Sequence, residues 1–198
     1  MEPFRQRLLF YTLWVLLTIL ITANSSLAAE QKYALNLYGA KLTSNNWEEF
    51  FFNADQIDFV PSEIFVASLA KRLNCSEKNI HYEIEGQVAK HDGIQRHWEL
   101  NGLGVARWEP FWWDRFLETS AAFGLGLSYA TEKPQAERQV EGSTEQWMLY
   151  WMMELALGLP QYPQIALISR IHHRSEAYGL LANEGGSNAL AIGLKYRF

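Results

Sequence analysis

The last residues of the chain alternate strictly between two kinds of side chain. Small or basic residues separate five apolar ones, the last of which ends the chain: Leu190, Ile192, Leu194, Tyr196 and Phe198. Successive side chains of a β-strand point to opposite faces, so a period of two places the apolar set on one face. The pattern therefore predicts a strand that is apolar along the whole of one face.

Similar alternation recurs along the chain beyond residue 29. Seven further segments of about ten residues are predicted as strands on this ground: 33–42, 64–73, 79–91, 95–108, 115–129, 144–158 and 163–175. Between these segments the sequence has no long apolar run and no sustained helical period. We therefore expect residues 29–198 to form one all-β domain of eight strands.

The second face of these segments is too polar for the core of a soluble β-sandwich. In segment 79–91 the odd positions are mostly ionisable or polar: His81, Glu83, Glu85, Gln87 and His91. Outer-membrane barrels turn apolar side chains toward lipid and polar ones into the lumen, and bacterial single-chain barrels have an even number of strands. The sequence thus predicts an eight-stranded antiparallel outer-membrane β-barrel.

The connecting segments orient this barrel. Counted from a periplasmic N-terminus, the connections outside the cell are 43–63, 92–94, 130–143 and 176–187, and the periplasmic ones are 74–78, 109–114 and 159–162. Long outer loops and short periplasmic turns are typical of such barrels. Phe198 then lies on the periplasmic side, and the strand that it ends resembles the one that the barrel assembly machinery recognises. This machinery is therefore an expected partner.

The N-terminal segment predicts export. Arg5 and Arg7 precede an apolar run at 8–23, and the small residues Ser26-Leu27-Ala28 follow it. This order predicts a secretory signal peptide over residues 1–28, cleaved after Ala28. The alternative is an uncleaved membrane anchor, but an apolar run of about 16 residues is shorter than the ~20 that span a bilayer. The expected location is the bacterial cell outer membrane.

Charge and cysteine content exclude several other classes. The formal net charge is -5 and there is no basic block, which argues against a nucleic-acid-binding protein. The single cysteine, Cys75, excludes an internal disulfide and a cysteine-based zinc or iron–sulfur site.

Three histidines could hold a metal in the lumen, although a lumen filled by carboxylates and their partners is a simpler explanation: His81, His91 and His97.

The end of segment 163–175 carries the candidate chemistry. His173 and Ser175 share the outward face at the extracellular end, because they are two residues apart. A neutral imidazole can take the proton of a serine hydroxyl and make it a nucleophile toward an ester. His172 points the opposite way, so the two neighbouring histidines cannot ligate one metal. The alternative is a hydrated polar rim, since the spacing His-x-Ser has little specificity.

The last hairpin supplies a third candidate. A simple register pairs Ile165 with Phe198, His173 with Leu190, and Ser175 with Asn188. Asn188 then joins His173 and Ser175 on the outer wall, which gives a nucleophile, a base and a group to orient the base. Glu184, in the preceding loop, is the alternative, because a carboxylate stabilises an imidazolium better. We favour Asn188 on strand geometry.

At these residues the sequence resembles the outer-membrane lipid A 3-O-deacylases and the related acyloxyacyl hydrolase family. The resemblance comprises the signal peptide, the eight-stranded barrel and three motifs: His173-Arg174-Ser175, Gly185-Gly186-Ser187-Asn188 and Gly193-Leu194-Lys195-Tyr196-Arg197-Phe198. It implies a carboxylic ester hydrolase that removes an acyl chain from lipid A, with Ser175 as nucleophile and His173 as base. It also implies lipopolysaccharide and outer-membrane lipids as partners, and no cofactor.

The sequence departs from the family at two positions. The third catalytic member of the family is an acid on the last strand, close to where this chain has Asn188. The residue after the serine is commonly Asn in the family and is Glu176 here. Two other functions stay open: a non-catalytic barrel for envelope integrity or adhesion, and an enzyme that transfers the acyl chain to an acceptor other than water.

Overall fold

The computed structural model describes residues 31–177, 179–181 and 185–198. Its eight strands are antiparallel, follow one another in chain order and close into a barrel, which confirms the predicted fold class. The predicted signal peptide, residues 1–28, lies outside the described residues. Within the described part of the chain, no helix is long and apolar enough to cross a membrane.

The strands lie close to their predicted positions. They are β1 (Tyr33–Thr43), β2 (Phe59–Glu77), β3 (Ile80–Gly93), β4 (Trp98–Trp108), β5 (Glu118–Ala130), β6 (Trp147–Gly158), β7 (Ile165–Ser175) and β8 (Gly186–Arg197). Two short α-helices lie in the described connections: α1 (Glu49–Phe52) between β1 and β2, and α2 (Gln135–Glu141) between β5 and β6. A 3-10 helix (Ala54–Gln56) follows α1. The largest difference concerns β2, which begins five residues before its predicted start at 64.

The register of the last hairpin differs from the predicted one by two residues. The pairs are Ile165 with Tyr196, His173 with Asn188, and Ser175 with Gly186. Phe198 lies two residues beyond the partner of Ile165, and its backbone exchanges two hydrogen bonds with Tyr33 of β1, at 2.9 and 3.0 Å. A shift of two residues leaves every side chain on its predicted face. The predicted register is therefore wrong, while the predicted outward face of Asn188 is retained.

The barrel interior is polar and charged, as the alternation predicts. Glu154 of β6 lies at its centre, 2.7 Å from the guanidinium of Arg107 and 2.6 Å from that of Arg170, and it also binds Lys195. Two further carboxylates complete the network: Glu83 binds Arg107, and Glu85 binds Arg170. Buried charges need such partners, because an unpaired one is very costly in a low dielectric.

Gly124 of β5 shows how the interior makes room for larger groups. It faces inward, and a Cβ atom at this position would lie 2.6 Å from Leu103 Cδ1 and 3.0 Å from Met152 Cε. Neither distance is compatible with a side chain at ordinary van der Waals contact. The glycine thus lets residues of β4 and β6 fill the space in front of β5.

The outer wall is apolar. Large hydrophobic side chains about half exposed to the surroundings are found on strands all around the barrel, among them Leu37, Phe65, Leu100, Leu125, Leu155, Leu167 and Leu194. An apolar outside around a charged inside is the reverse of a soluble protein, and it is the arrangement expected of a barrel in lipid.

Candidate active site on the outer wall

The candidate site lies where β7 ends and β8 begins. His173 and Ser175 point outward from β7, and Asn188 of β8 is directly opposite His173 in the register. All three side chains are half-buried. The structure therefore brings together three of the four residues that the sequence singled out. The fourth, Glu184, lies outside the described residues, and its role as an alternative orienter stays a prediction.

The amide of Asn188 determines which nitrogen of His173 carries a proton. Asn188 Oδ1 lies 2.5 Å from His173 Nδ1, and Asn188 Nδ2 donates to the backbone carbonyl of Asn45 at 3.0 Å. The second bond orients the amide, because only its NH₂ group can donate to a carbonyl. Its oxygen then accepts from Nδ1–H, which leaves the Nε2 lone pair of a neutral imidazole available as a base.

Two tryptophans hold the imidazole in place. The ring of Trp151 on β6 stacks on that of His173, with centroids 4.4 Å apart and planes 28° apart. Trp47, from the connection between β1 and β2, packs edge-on against Trp151 at 5.4 Å. Sequence reasoning missed both roles. The outward position of Trp151 in its strand predicts only an aromatic residue at the membrane interface. Trp47 lies in a loop, where side chains follow no regular alternation that would predict a position.

The hydroxyl of Ser175 shares the outward face of His173. Ser175 Oγ accepts a hydrogen bond from the backbone N–H of Ala177 at 3.3 Å, and within the described residues no hydrogen bond joins it to His173. Ala177 has a φ of 57°, the left-handed region that is uncommon for residues other than glycine. Nucleophile–base contacts are often long before substrate binds. His173 and Ser175 thus share one face of the strand, as a catalytic dyad requires, but the hydrogen bond between them is not formed in the described residues.

His172 belongs to the interior, as its parity predicts. Its Nε2 lies 2.9 Å from Glu99 Oε1, and its Nδ1 lies 3.1 Å from the hydroxyl of Tyr150. Both nitrogens are therefore engaged in buried hydrogen bonds. His172 cannot take part in the chemistry of the outer wall.

A possible metal-binding cluster occurs in the interior, near the mouth of the barrel. The ligand atoms of His91, His97 and Glu99 lie within 4.8 Å of one another, whereas His81 does not belong to this group. The rings of His91 and His97 are stacked, with centroids 4.1 Å apart and planes 18° apart. Stacked imidazoles direct their lone pairs along nearly parallel planes and not to a common point.

Several atoms of this cluster that could ligate a metal are engaged in hydrogen bonds. His91 bonds to Glu99 through Nε2 and to Gln95 through Nδ1, each at 2.9 Å. Burial lowers the pKa of the His97 imidazole to about 3, so this ring is neutral. His91 and Glu99 are thus part of the hydrogen-bonded interior, whereas the Nε2 atom of His97 is buried without a hydrogen-bond partner in the described part of the chain.

An apolar groove begins next to the candidate site and runs along the outer wall. Its volume is about 630 Å³, and its lining includes Phe123, Met153, Leu155 and Ile171 of three neighbouring strands and Phe51 of α1. Ile171 is the residue before His173 on the same face, and the ring of Phe123 lies 6.2 Å from that of Trp151. The groove is therefore continuous with the aromatic surroundings of His173.

Comparison with known proteins gives information on the fold. No known protein family matches the chain, and no curated protein is similar to it in sequence. Among solved structures, the outer membrane enzyme PagL superposes with a TM-score of 0.59 at 10% identity, covering 83% of this chain and 99% of that chain. Neisserial surface protein A gives a TM-score of 0.49 at 10% identity, covering 84% of this chain and 97% of the other. The superposition on PagL thus shows that the fold of this chain resembles that of an outer-membrane barrel protein.

Proposed function

We propose that this protein is an outer-membrane serine esterase that removes an ester-linked acyl chain from lipid A or a similar glycolipid. The observation that carries the proposal is the hydrogen bond between Asn188 and His173. It leaves His173 Nε2 as a free base on the same outer face as Ser175. An oriented base beside a hydroxyl is the arrangement that nucleophilic acyl transfer requires.

The reaction follows the usual course of a serine hydrolase. Ser175 Oγ attacks the ester carbonyl carbon while its proton passes to His173 Nε2. When the tetrahedral intermediate collapses, the bond from the carbonyl carbon to the sugar oxygen breaks, and His173 returns the proton to that oxygen. Water then attacks the acyl-serine with His173 again as base, which releases the fatty acid and restores the hydroxyl of Ser175.

The surroundings of the site suit a lipid substrate. A nucleophile on the outside of a barrel acts on molecules that lie beside the barrel, and in a membrane these are lipids. The apolar groove next to His173 offers space for an acyl chain. The end of the barrel with the long connections faces out of the cell in this proposal, which places the site at the outer leaflet.

Mass spectrometry of lipid A from cells that produce the protein tests this function. We expect wild-type protein to remove one acyl chain and Ser175→Ala to remove none, because the nucleophile is lost. Ser128→Ala is a matched control, since this hydroxyl is buried in the interior and has no hydrogen-bond partner among the residues that the structure describes. It should cleave as the wild type does.

The products distinguish the remaining possibilities. Free fatty acid is the expected product, whereas an acyl chain that appears on another lipid would indicate transfer to an acceptor. Equal cleavage by Ser175→Ala and wild type would refute the mechanism. If wild-type protein leaves lipid A intact, the barrel is non-catalytic and serves envelope integrity or adhesion. The contact of Ser175 with Ala177, and not with His173, is the observation that favours this second function.

A further inference from the structure

Glu137 of α2 is an almost fully buried carboxylate at the mouth of the barrel, 2% exposed. It accepts three hydrogen bonds: from Arg174 Nη1 at 2.6 Å, from Ser187 Oγ at 2.9 Å and from Thr144 Oγ1 at 2.5 Å. Two of these donors belong to the strands that carry the candidate site. Glu137 therefore ties the connection between β5 and β6 to β7 and β8 at one point.

The two strand donors are the immediate neighbours of the candidate catalytic residues. Arg174 lies between His173 and Ser175, Ser187 precedes Asn188, and Arg174 and Ser187 are paired in the β7–β8 register. Because side chains alternate along a strand, the site occupies the outer face of this short stretch and Glu137 binds its inner face. One carboxylate thus holds, from inside, the two strand ends that present the site outside.

The carboxylate of Glu137 is the closest negative charge to the buried guanidinium of Arg174. Its guanidinium is fully buried, and its other hydrogen bonds in the described residues go to the backbone carbonyls of Glu145 and Gln146, both at 3.2 Å. In the described part of the chain, the next carboxylate is that of Glu99, 4.0 Å from the Nε atom of Arg174, and this Nε atom has no hydrogen-bond partner there. Removing the charge of Glu137 would leave a buried cation poorly neutralised, which is strongly destabilising locally.

The backbone at the start of β8 shows how closely the connection approaches it. A Cβ atom on Gly185 would lie 2.8 Å from the carbonyl oxygen of Ser143, and Gly185 has a φ of 121°. Only glycine fits this contact without displacement. The approach is independent of the Glu137 hydrogen bonds and brings the same two segments together.

We propose that Glu137 is a positioning residue for the site, acting through Arg174 and Ser187 on the relative placement of His173, Ser175 and Asn188. The inference rests on the proposed esterase function, since it assigns the connection between β5 and β6 a part in that reaction. A displacement of about 1 Å at a reacting centre costs on the order of 10²-fold in rate. We call Glu137 with its two strand donors, Arg174 and Ser187, the clamp. The clamp therefore acts on turnover and not on substrate affinity.

Kinetics of Glu137→Gln with purified, refolded full-length protein test the clamp. We expect kcat to fall at least about tenfold while KM changes less than about twofold, because the lost interaction orients reacting groups and does not touch substrate. Lys133→Gln is the control. It breaks an exposed ion pair with Glu145 in the same connection and should leave both constants unchanged. A change in KM alone, or no change in kcat, would overturn the proposal.

A double variant and a structural measurement keep the clamp separate from the esterase function. Glu137→Gln with Arg174→Gln should lose less activity than the product of the two single losses, because no buried charge is left unpaired. Hydrogen exchange of peptides covering 171–175 and 186–190 should be faster in Glu137→Gln than in wild type, with exchange in β3 unchanged. If wild type cleaves no lipid but this local change occurs, the esterase proposal fails and the clamp stands. Unchanged exchange refutes the clamp.

Discussion

At the scale of single residues, the proposed mechanism gives an amide the place that a carboxylate has in most serine hydrolases. The oxygen of Asn188 accepts from His173 Nδ1–H and so selects the tautomer whose neutral ring has its lone pair on Nε2. A carboxylate would do this and would also stabilise the imidazolium that forms during proton transfer. Asn188 thus supplies orientation without full charge stabilisation, and the stacked ring of Trp151 adds a favourable face for the cation.

Substitution of Asn188 tests whether this residue orients the imidazole without stabilising its charge. Asn188→Asp should preserve or raise kcat/KM, because it keeps the acceptor and adds charge. Asn188→Leu should lower kcat/KM by at least about tenfold, because Nδ1 loses its acceptor and the ring its tautomer. Glu184→Gln is the comparison, and it should have the smaller effect. The opposite order of Asn188→Leu and Glu184→Gln would make Glu184 the third member of the site.

The grouping of Asn188 with His173 could be predicted from sequence because parity survives an error in register. The predicted pairing placed Asn188 opposite Ser175, whereas it lies opposite His173. Both positions share one face, since a shift of two residues returns to the same side of the strand. The hydrogen bond to the backbone of Asn45 could not be predicted, because it depends on where a loop crosses the outer wall.

At the scale of elements, the strands were predictable and the pieces between them were not. A period of two over ten or so residues is a strong signal, and every predicted strand is present. The helix α1 has only four residues and no side-chain hydrogen bond at its N-cap, so its sequence carries no helix signal. Yet this element supplies Phe51 to the groove beside the site.

Phe51 and Phe52 form a matched pair for testing the groove. Phe51 lines it, whereas Phe52 does not and is 83% exposed. If the groove holds the acyl chain of the substrate, Phe51→Ala should raise KM several-fold for long-chain esters and little for short-chain ones, because less apolar surface is buried. Phe52→Ala should behave as wild type. Equal effects of the two variants, or no dependence on chain length, would show that the groove is ordinary outer wall.

At the scale of the whole molecule, three carboxylates and three basic groups form one connected network of ion pairs inside the barrel. Glu83, Glu85 and Glu154 are balanced by Arg107, Arg170 and Lys195. Parity predicts which of these side chains face inward. It cannot predict the pairs, because Glu85 of β3 and Arg170 of β7 are on non-adjacent strands and meet only across the closed lumen.

The centre of this network should carry a large share of the stability of the barrel. Glu154 contacts all three basic groups, so Glu154→Gln leaves three buried cations with two carboxylates. Breaking a buried pair in this way costs about 3–5 kcal/mol, whereas losing an exposed pair costs little. Urea unfolding in lipid vesicles should therefore show a much lower midpoint for Glu154→Gln. Glu63→Gln, which removes only the exposed pair with Lys41, should unfold as wild type does.

A double variant tests whether the balance of buried charges determines this loss of stability. Glu154→Gln combined with Lys195→Met removes one charge of each sign, so the remaining carboxylates equal the remaining guanidinium groups. The double variant should regain part of the lost stability, because replacing a buried ion pair by uncharged groups is often neutral while removing one partner is not. If it is less stable than Glu154→Gln alone, shape and hydrogen bonding at Lys195 matter more than the sum of charges in the lumen.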